Sequence, residues 1–440
     1  MKARIIRCLL VSLLPLCLLC ACDRLAPLGP APPPAASQSP VPATPMPAEV
    51  LSFSGLNGVT METVRGELAS VPSAVEIDLR GCDLDILSAA GELRTLGLKK
   101  IYFSATIGGA TISDESTTVT LADPLPPAEL LCDVLRLVPS LQTLDVSGCA
   151  LTPDSISDIM AAVPQAEVIW SLALCGEIVG PDTVSLNYNN MPLDDLNPFY
   201  ETLPLLGKLE SLEMCGCGVG DEEMAALREA FPDAGIVWPI DTKFGTVRTD
   251  TTHFATWKIK RENEQGLILS AENIRNCRDA DVEFLKYCHD IIALDLGHNN
   301  LTHCEFVQNM PNLRYLILAD NRIADLSPLS SLQNLIYLEI FSTRVTDLSP
   351  LASLPNLRDL NMCGCNVGGD LTPLYGLPIE RLWLTSTGMS HVKETVAAFS
   401  AQNPDCIVTL ARFPDYTEDG WRTHDRYYEM RAALGCYVER

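Results

Sequence analysis

One eight-residue phrase returns five times at a constant interval between Ile291 and Met389. Its first, third, sixth and eighth positions are Leu294, Leu296, Asn299 and Leu301, then Leu316, Leu318, Asn321 and Ile323, then Leu338, Ile340, Thr343 and Val345. Leu360, Met362, Cys365 and Val367 follow, and Leu382, Leu384, Thr387 and Met389 close the series. The sixth position falls at 299, 321, 343, 365 and 387, a spacing of 22 each time. A chain that repeats at such a period is built of like units, none of which can bury its apolar edge alone, so neighbours stack and share one core.

Within the phrase, apolar residues alternate, as Leu316 and Leu318 do, which specifies a short strand with one face inside. The Asn, Cys or Thr that follows is expected to turn inward and satisfy backbone groups freed where the strand ends. Between strands a second word recurs, Asp325 to Leu329, Asp347 to Leu351 and Asp370 to Leu374, each reading D-L-S/T-P-L. There the Asp can accept from following amides, Pro fixes φ at the start of a helical turn, and the leucines return to the core.

The period and the L-x-x-L-x-L-x-x-N/C-x-L pattern resemble those of leucine-rich repeats, and the D-L-S/T-P-L connection resembles internalin-type repeats of bacterial surface proteins. The resemblance implies an α/β solenoid, a horseshoe with a parallel concave sheet. The match is tightest over 290–389, within regular repeats expected over 267–410. From 49 to 266 the repeats are longer and irregular. Phrases there carry Ile77, Leu79 and Cys82; Leu144, Val146 and Cys149; Val184, Leu186 and Asn189; and Leu212, Met214 and Cys217. Cys82, Cys149 and Cys217 stand 67 and 68 apart, so a larger unit is duplicated, and Val163 to Trp170 matches Phe231 to Trp238. Each large unit reads as strand, helix, phrase, helix and a further strand ending in Trp. Helical spacing covers 155–163 and 222–231, closed by Pro164 and Pro232, and a further helix lies around 281–287. Ile101 to Phe103 and Val119 to Leu121 read as strands, Gly108 to Ser116 as a loop, and Leu267 to Leu269 as the start of another unit. Cys406 to Leu410 is a last strand. Gly420 to Leu434 is an amphipathic helix whose Trp421, Tyr427, Met430 and Leu434 are expected to cap the end of the stack within 411–440.

The N-terminus is an address. Lys2, Arg4 and Arg7 precede an apolar run from Cys8 to Leu19 that is short for a membrane span. The run ends in Leu19-Cys20-Ala21-Cys22, which resembles the lipobox of bacterial lipoproteins. The resemblance implies a signal peptide over 1–21, lipidation of Cys22, and a membrane anchor for a protein facing outside the cell. Residues 22–48 hold Pro27, Pro30, Pro32, Pro33, Pro34, Pro40, Pro42, Pro45 and Pro47, an extended Pro-rich tether.

Charge limits the partners. The chain has 31 basic and 56 acidic residues, net −25, and losing Lys2, Arg4 and Arg7 with the signal leaves 28 against 56, or −28. Such a surface repels phosphate backbones, which argues against nucleic acid and leaves room for a cationic partner. Of 17 cysteines, Cys8, Cys17 and Cys20 leave with the signal and Cys22 is lipidated, so 13 remain, an odd number that cannot all pair internally. Cys82, Cys149, Cys217 and Cys365 hold the inward position, as small buried groups. Cys215 and Cys363 lie two residues earlier, on the concave side. Cys288, His289, His298, His303 and Cys304 include metal-binding residue types, but His298 projects from the concave face and His303 lies past the turn, so they diverge and no metal or other cofactor is expected. The chain has no G-x-S-x-G, H-E-x-x-H or Walker-type loop, and no catalytic residue is assigned.

What remains is the concave sheet. Residues flanking the strand leucines of the regular array are Tyr315, Ile317, Tyr337, Glu339, Phe341, Asn361, Arg381 and Trp383, an aromatic set with an arginine and an acid that has the composition of a binding hot spot. The equivalent positions of the first half, Asp78, Arg80, Asp145, Ser147, Glu213 and Cys215, are more polar. The sequence therefore points to a cell-surface lipoprotein that binds a protein or peptide ligand on its concave face without catalysis. A structural scaffold for envelope assembly is the other reading.

Overall fold

The computed structural model describes residues 49–256, 260–262, 268–270, 276–385, 391–411 and 420–436. The signal peptide, Cys22, the tether, Leu267 and the last phrase's Thr387 and Met389 lie outside the described residues. The body from Val50 onward is a solenoid of short strands laid side by side.

The regular half forms one seven-stranded parallel sheet, in chain order His253–Ala255, Ala293–Asp295, Tyr315–Ile317, Tyr337–Glu339, Asp359–Asn361, Arg381–Leu384 and Ile407–Leu410. Its register is unbroken: Leu294, Leu316, Leu338, Leu360 and Leu382 stand opposite one another across the ladder. All five point into a single core, with Leu316, Leu338, Leu360 and Leu382 fully buried. The constant period does this. A one-residue slip would turn every leucine to the other face.

The inward polar position closes each unit. Asn321 Nδ2 donates to the Leu318 and Leu296 carbonyls at 2.9 and 2.8 Å, while its Oδ1 accepts from the Leu301 N–H at 2.9 Å. Asn299 does the same for Leu296 and Cys277. Thr343 and Cys365 offer one hydroxyl or thiol instead, each to the Ile340 carbonyl, at 2.7 and 3.0 Å. In the first half, Cys149 and Cys217 reach back to Leu121 and Tyr188 of the preceding unit at 3.3 and 3.2 Å.

The D-L-S/T-P-L words fold into 3-10 turns at Ser327–Ser331, Ser349–Ser353 and Thr372–Leu374. Asp325, Asp347 and Asp370 accept from the amides two residues on, at 2.7, 2.8 and 2.9 Å, and the Ser327, Ser349 and Thr372 hydroxyls together with those amides hold each carboxyl below its ordinary 3.8. Leu329, Leu351 and Leu374 are fully buried beneath the turns.

The large units of the first half each contribute a three-stranded sheet. These comprise Glu49–Ser52, Ala74–Asp78 and Lys100–Tyr102; Thr118–Thr120, Thr143–Asp145 and Glu167–Ile169; and Ser185–Asn187, Ser211–Glu213 and Ile236–Val237. Helices Pro153–Ala162 and Asp221–Ala230 occupy the expected stretches, the first capped by Thr152, whose hydroxyl accepts from the Ser155 N–H at 3.2 Å. A buried aromatic ends each of the three sheets: Phe103, Trp170 and Trp238.

After each aromatic comes an element the sequence reading missed. Antiparallel hairpins pair Ser104–Ile107 with Ala110–Ser113, Leu172–Leu174 with Glu177–Val179, and Pro239–Thr242 with Gly245–Arg248. The stretch expected as a loop from Gly108 is therefore a turn and a strand. Gly108 and Gly109 both have positive φ, 52° and 76°, and so do Cys175 and Gly176, 46° and 94°, the two-residue turn geometry that suits the twist of a hairpin. Ile268–Ser270 likewise does not open a parallel unit. It pairs antiparallel with Lys260–Glu262, and the parallel strand of that unit is His253–Ala255, so the regular sheet begins ahead of 267.

If the inward position carries the stack, residues there differ by how many backbone groups they serve. Asn321→Ala orphans the Leu301 N–H and the Leu318 carbonyl, at about 1–3 kcal/mol for each buried group left unpaired, while the Leu296 carbonyl keeps Asn299. Thr343→Val removes one hydroxyl bond, about 1 kcal/mol. Urea unfolding followed by circular dichroism should show the larger drop in midpoint for Asn321→Ala; equal effects would contradict this role.

Candidate functional site

All eight residues expected on the concave side are there, in two rows. Register places Tyr315, Tyr337, Asp359 and Arg381 in one row and Ile317, Glu339, Asn361 and Trp383 in the next, with Phe341 just beyond its strand. They lie on the face opposite the leucines. The expectation of an open face fails, however. Every one of the eight is buried, Tyr337 and Asn361 completely.

The cover is the chain's own C-terminal segment. Helix Asp425–Ala433 and the turn Trp421–Thr423 lie across this face, not over the end of the stack. Trp421, Met430, Leu434 and Cys436 form a second apolar cluster with Ala293, Tyr315, Ile317, Tyr337, Phe341, Cys363 and Trp383, separate from the leucine core. The segment reaches the far side of the sheet, where a Cβ added to Gly435 would lie 2.9 Å from His253 Nε2. With the helix drawn onto the face, the last strand keeps Ile407 and Leu410 exposed, at 67% and 48%.

Trp421 is the anchor. Its indole is fully buried, 5.3 Å from the Tyr337 ring and 6.0 Å from Trp383, with the Arg381 guanidinium 4.5 Å over its face. The indole N–H donates to Glu339 Oε1 at 2.8 Å, and the Tyr337 hydroxyl donates to the same oxygen. Burial together with Glu339 pushes the Tyr337 hydroxyl well above its ordinary 10.

Charges then fix the helix. Asp359, with no exposed surface, accepts from Arg381 Nε at 2.7 Å on one oxygen and faces Arg426 Nη1 at 2.9 Å on the other. Arg426 also pairs with Glu380. Arg431 Nη1 stands 4.0 Å from Asp295 Oδ2. Burial pushes the Asp295 carboxyl up to about 6, against the opposing pull of the Gly297 N–H and Arg431. A small cavity survives between helix and sheet, lined by residues including Asp295, His298, Glu339, Phe341 and Arg431.

The equivalent face of the first half is not covered in this way. Arg80 is exposed and pairs through two nitrogens with Asp78, at 2.9 and 2.7 Å, beside the Tyr102 ring, over which Lys100 Nζ lies at 4.3 Å. Asp145 accepts from the Ser147 amide and hydroxyl at 3.0 and 2.7 Å. Glu213 joins Asn187, Asn189 and Arg248, and Arg248 also grips Asp250 at 2.9 Å. Arg248 Nη1 lies 3.5 Å from Cys215 Sγ, and burial raises that thiol above its ordinary 9. Thr120, Glu167, Ile169 and Asn187 are exposed alongside.

His298 and His303 take different partners. His298 Nδ1 meets Asp320 at 2.9 Å, whereas His303 pairs with Glu305 at 2.8 Å and faces Asp279. Among the described residues no group of three or more His, Cys, Asp or Glu could hold a metal ion. Among the described residues none of the thirteen cysteines from Cys82 to Cys436 forms a disulfide, and burial pushes Cys288, Cys304, Cys363 and Cys406 up to about 12, away from nucleophilic use. The sequence signal for the buried face was the aromatic content of its strands together with three arginines, Arg422, Arg426 and Arg431, in an otherwise acidic chain.

Two family models match the chain: Leucine Rich repeats (2 copies) over 333–376, and Leucine Rich repeat over 139–160. No curated protein matches at a significant level. Among solved structures, the chain is similar to an internalin (inlF) of Listeria monocytogenes at 17% identity, covering 84% of this chain and 88% of that one with a TM-score of 0.26. Internalin C2 of the same species gives 18% identity over 69% and 86% of the two chains, TM-score 0.26. A leucine-rich repeat protein of Leptospira interrogans gives 17% over 82% and 95%, TM-score 0.26. Likeness this loose says nothing about ligands.

The raised Asp295 carboxyl has a defined pH signature. A carboxyl whose folded value lies above its unfolded 3.8 contributes stability that is full below that pH and is lost as pH rises through about 6. The difference corresponds to roughly 3 kcal/mol at about 1.36 kcal/mol per pH unit. Asp295→Asn keeps an oxygen to accept from the Gly297 N–H and has no charge to bury. Its stability relative to wild type, from urea midpoints at pH 4, 5, 6 and 7, should therefore climb with pH. A constant gap would contradict the burial of an ionising carboxyl.

Proposed function

We propose that this leucine-rich repeat solenoid is held at the bacterial cell surface by a lipid on Cys22 and binds a protein or peptide ligand there, without catalysis. The observation that carries the reading is the contrast between the two concave faces. The regular array's face is sealed by the chain's own helix, whereas the first half presents preset polar side chains to solvent. Arg80, Tyr102 and Arg248 are each held in place by a partner on the same face. Side chains already fixed before binding lose little freedom on contact, and arginine and tyrosine are the residues on which protein interfaces concentrate their energy.

The remaining features support a protein ligand over other classes. A net charge of −25 disfavours nucleic acid. The buried thiols and the internally paired carboxylates leave no activated nucleophile or acid–base pair on the face. Among the described residues no helix is long and apolar enough to cross a membrane, so attachment through the N-terminal lipid suits the chain, with the Pro-rich residues 22–48 as spacer.

Two experiments test this reading. Cys22→Ala should move the protein from the membrane fraction to the soluble fraction and abolish incorporation of labelled fatty acid; unchanged membrane retention would sink the anchor. Proximity labelling on intact cells should enrich a discrete envelope or extracellular protein. The double change Tyr102→Ala with Arg248→Ala should cut that enrichment at least tenfold at equal surface level. Enrichment that survives the double change would remove the first-half face as the site.

A further inference from the structure

The face beneath the C-terminal helix is built unlike a permanent core. The leucine core on the other side of the sheet contains none of residues 420–436, and Leu316, Leu338, Leu360 and Leu382 stay enclosed by their own repeats. The segment is thus an occupant of a finished solenoid. Its floor carries Asp295, Glu339 and Asp359, each 3% exposed or less. Carboxylates in a dry interior are costly unless a cation meets them, and a core made only for stability does better with apolar residues. A floor of acids beside an aromatic slot is instead a means of reading sequence. Such a floor suits a tryptophan in a turn and arginines at set distances on the helix that follows it.

We propose that this face is a recognition site for a basic, tryptophan-bearing helical segment of another polypeptide, and that residues 420–436 occupy it as an internal ligand. The inference rests on the protein-binding reading but concerns a different surface from the open first half. The occupant defines the class. Trp421 fills the slot between Tyr337 and Trp383 with its N–H on Glu339, Arg426 answers Asp359, and Arg431 answers Asp295, so the motif is a Trp followed by Arg five and ten residues later.

The internal fit is also incomplete. Asn361 Nδ2 and Arg381 Nη2 are buried without a hydrogen-bond partner among the described residues. Two buried donors left idle in the floor weaken the self-complex. A ligand that places a carboxylate or amide oxygen opposite them gains what the chain's own segment forgoes, which lets it compete with an occupant present at high effective concentration.

The test uses the full chain. A fluorescent peptide of residues 420–436, with Cys436→Ser, is titrated by anisotropy against wild type, against Arg426→Ala and against Trp421→Ala with Arg426→Ala. The double variant, its own segment weakened, should bind the peptide at least tenfold more tightly than wild type, with the single variant between them. Adding Glu339→Gln and Asp359→Asn to the double variant should reverse that gain. Trypsin should cut the double variant within 422–431 while the solenoid retains its circular dichroism and cooperative unfolding.

Binding by none of the chains, or binding indifferent to Glu339 and Asp359, would overturn the proposal. So would loss of the solenoid fold in both the single and the double variant, which would make the segment an integral part of the core. None of these outcomes bears on partner capture by Tyr102 and Arg248, so the two readings stand or fall separately.

Discussion

Every unit of this solenoid must end its strand with a turn, and the turn strands backbone groups inside the apolar stack. One inward polar side chain per unit resolves that conflict. Asn321 serves backbone groups in two adjacent units, so it closes its own turn and ties it to the preceding one. Where a thiol takes the position, as at Cys149, Cys217 and Cys365, a single weak donor spans to the preceding unit. A small buried thiol fits the place in its unoxidised form, and the described cysteines form no disulfide. The stack therefore depends on a reduced, buried set of side chains that have no role in chemistry.

Holding the strands in unbroken register has a second consequence. Each strand has two faces, and the repeat buries only one. In the first half the other face is dressed with Asp78, Arg80, Asp145, Asn187 and Glu213, which pair among themselves and with neighbours and meet water without penalty. In the regular half it carries Tyr315, Tyr337, Phe341 and Trp383, too much apolar surface to leave exposed. The C-terminal helix supplies the cover. The two halves thus share one architecture and differ in what the sheet shows to its surroundings.

The stack, its single leucine core and the turns at Asp325, Asp347 and Asp370 were legible because each is a local pattern repeated at fixed spacing. The assignment of side chains to faces was legible for the same reason, since alternation sets it. Exposure was not. Periodicity says which face Tyr337 and Trp383 occupy but not whether something lies on it. The amphipathic stretch from Trp421 to Leu434 showed an apolar face without showing which apolar surface would receive it. The open end of the stack and the aromatic floor both qualified, and the buried Asp359 and Asp295 decided for the floor by attracting Arg426 and Arg431. The hairpins were missed because their strands are only three or four residues long, although Gly108-Gly109 between alternating Ala105, Ile107, Ala110 and Ile112 carried a turn signal.

The regular sheet is covered on its two faces by independent layers, and Cys363 and Cys365 report on one layer each. Cys363 is buried on the concave side within the Trp421 cluster, and Cys365 faces the leucine core two residues later. Alkylation of the native protein, mapped by mass spectrometry, should leave both protected in wild type. In Trp421→Ala it should modify Cys363 and spare Cys365. Cys363 reactive in wild type, or both thiols opening together in the variant, would contradict the two-layer arrangement.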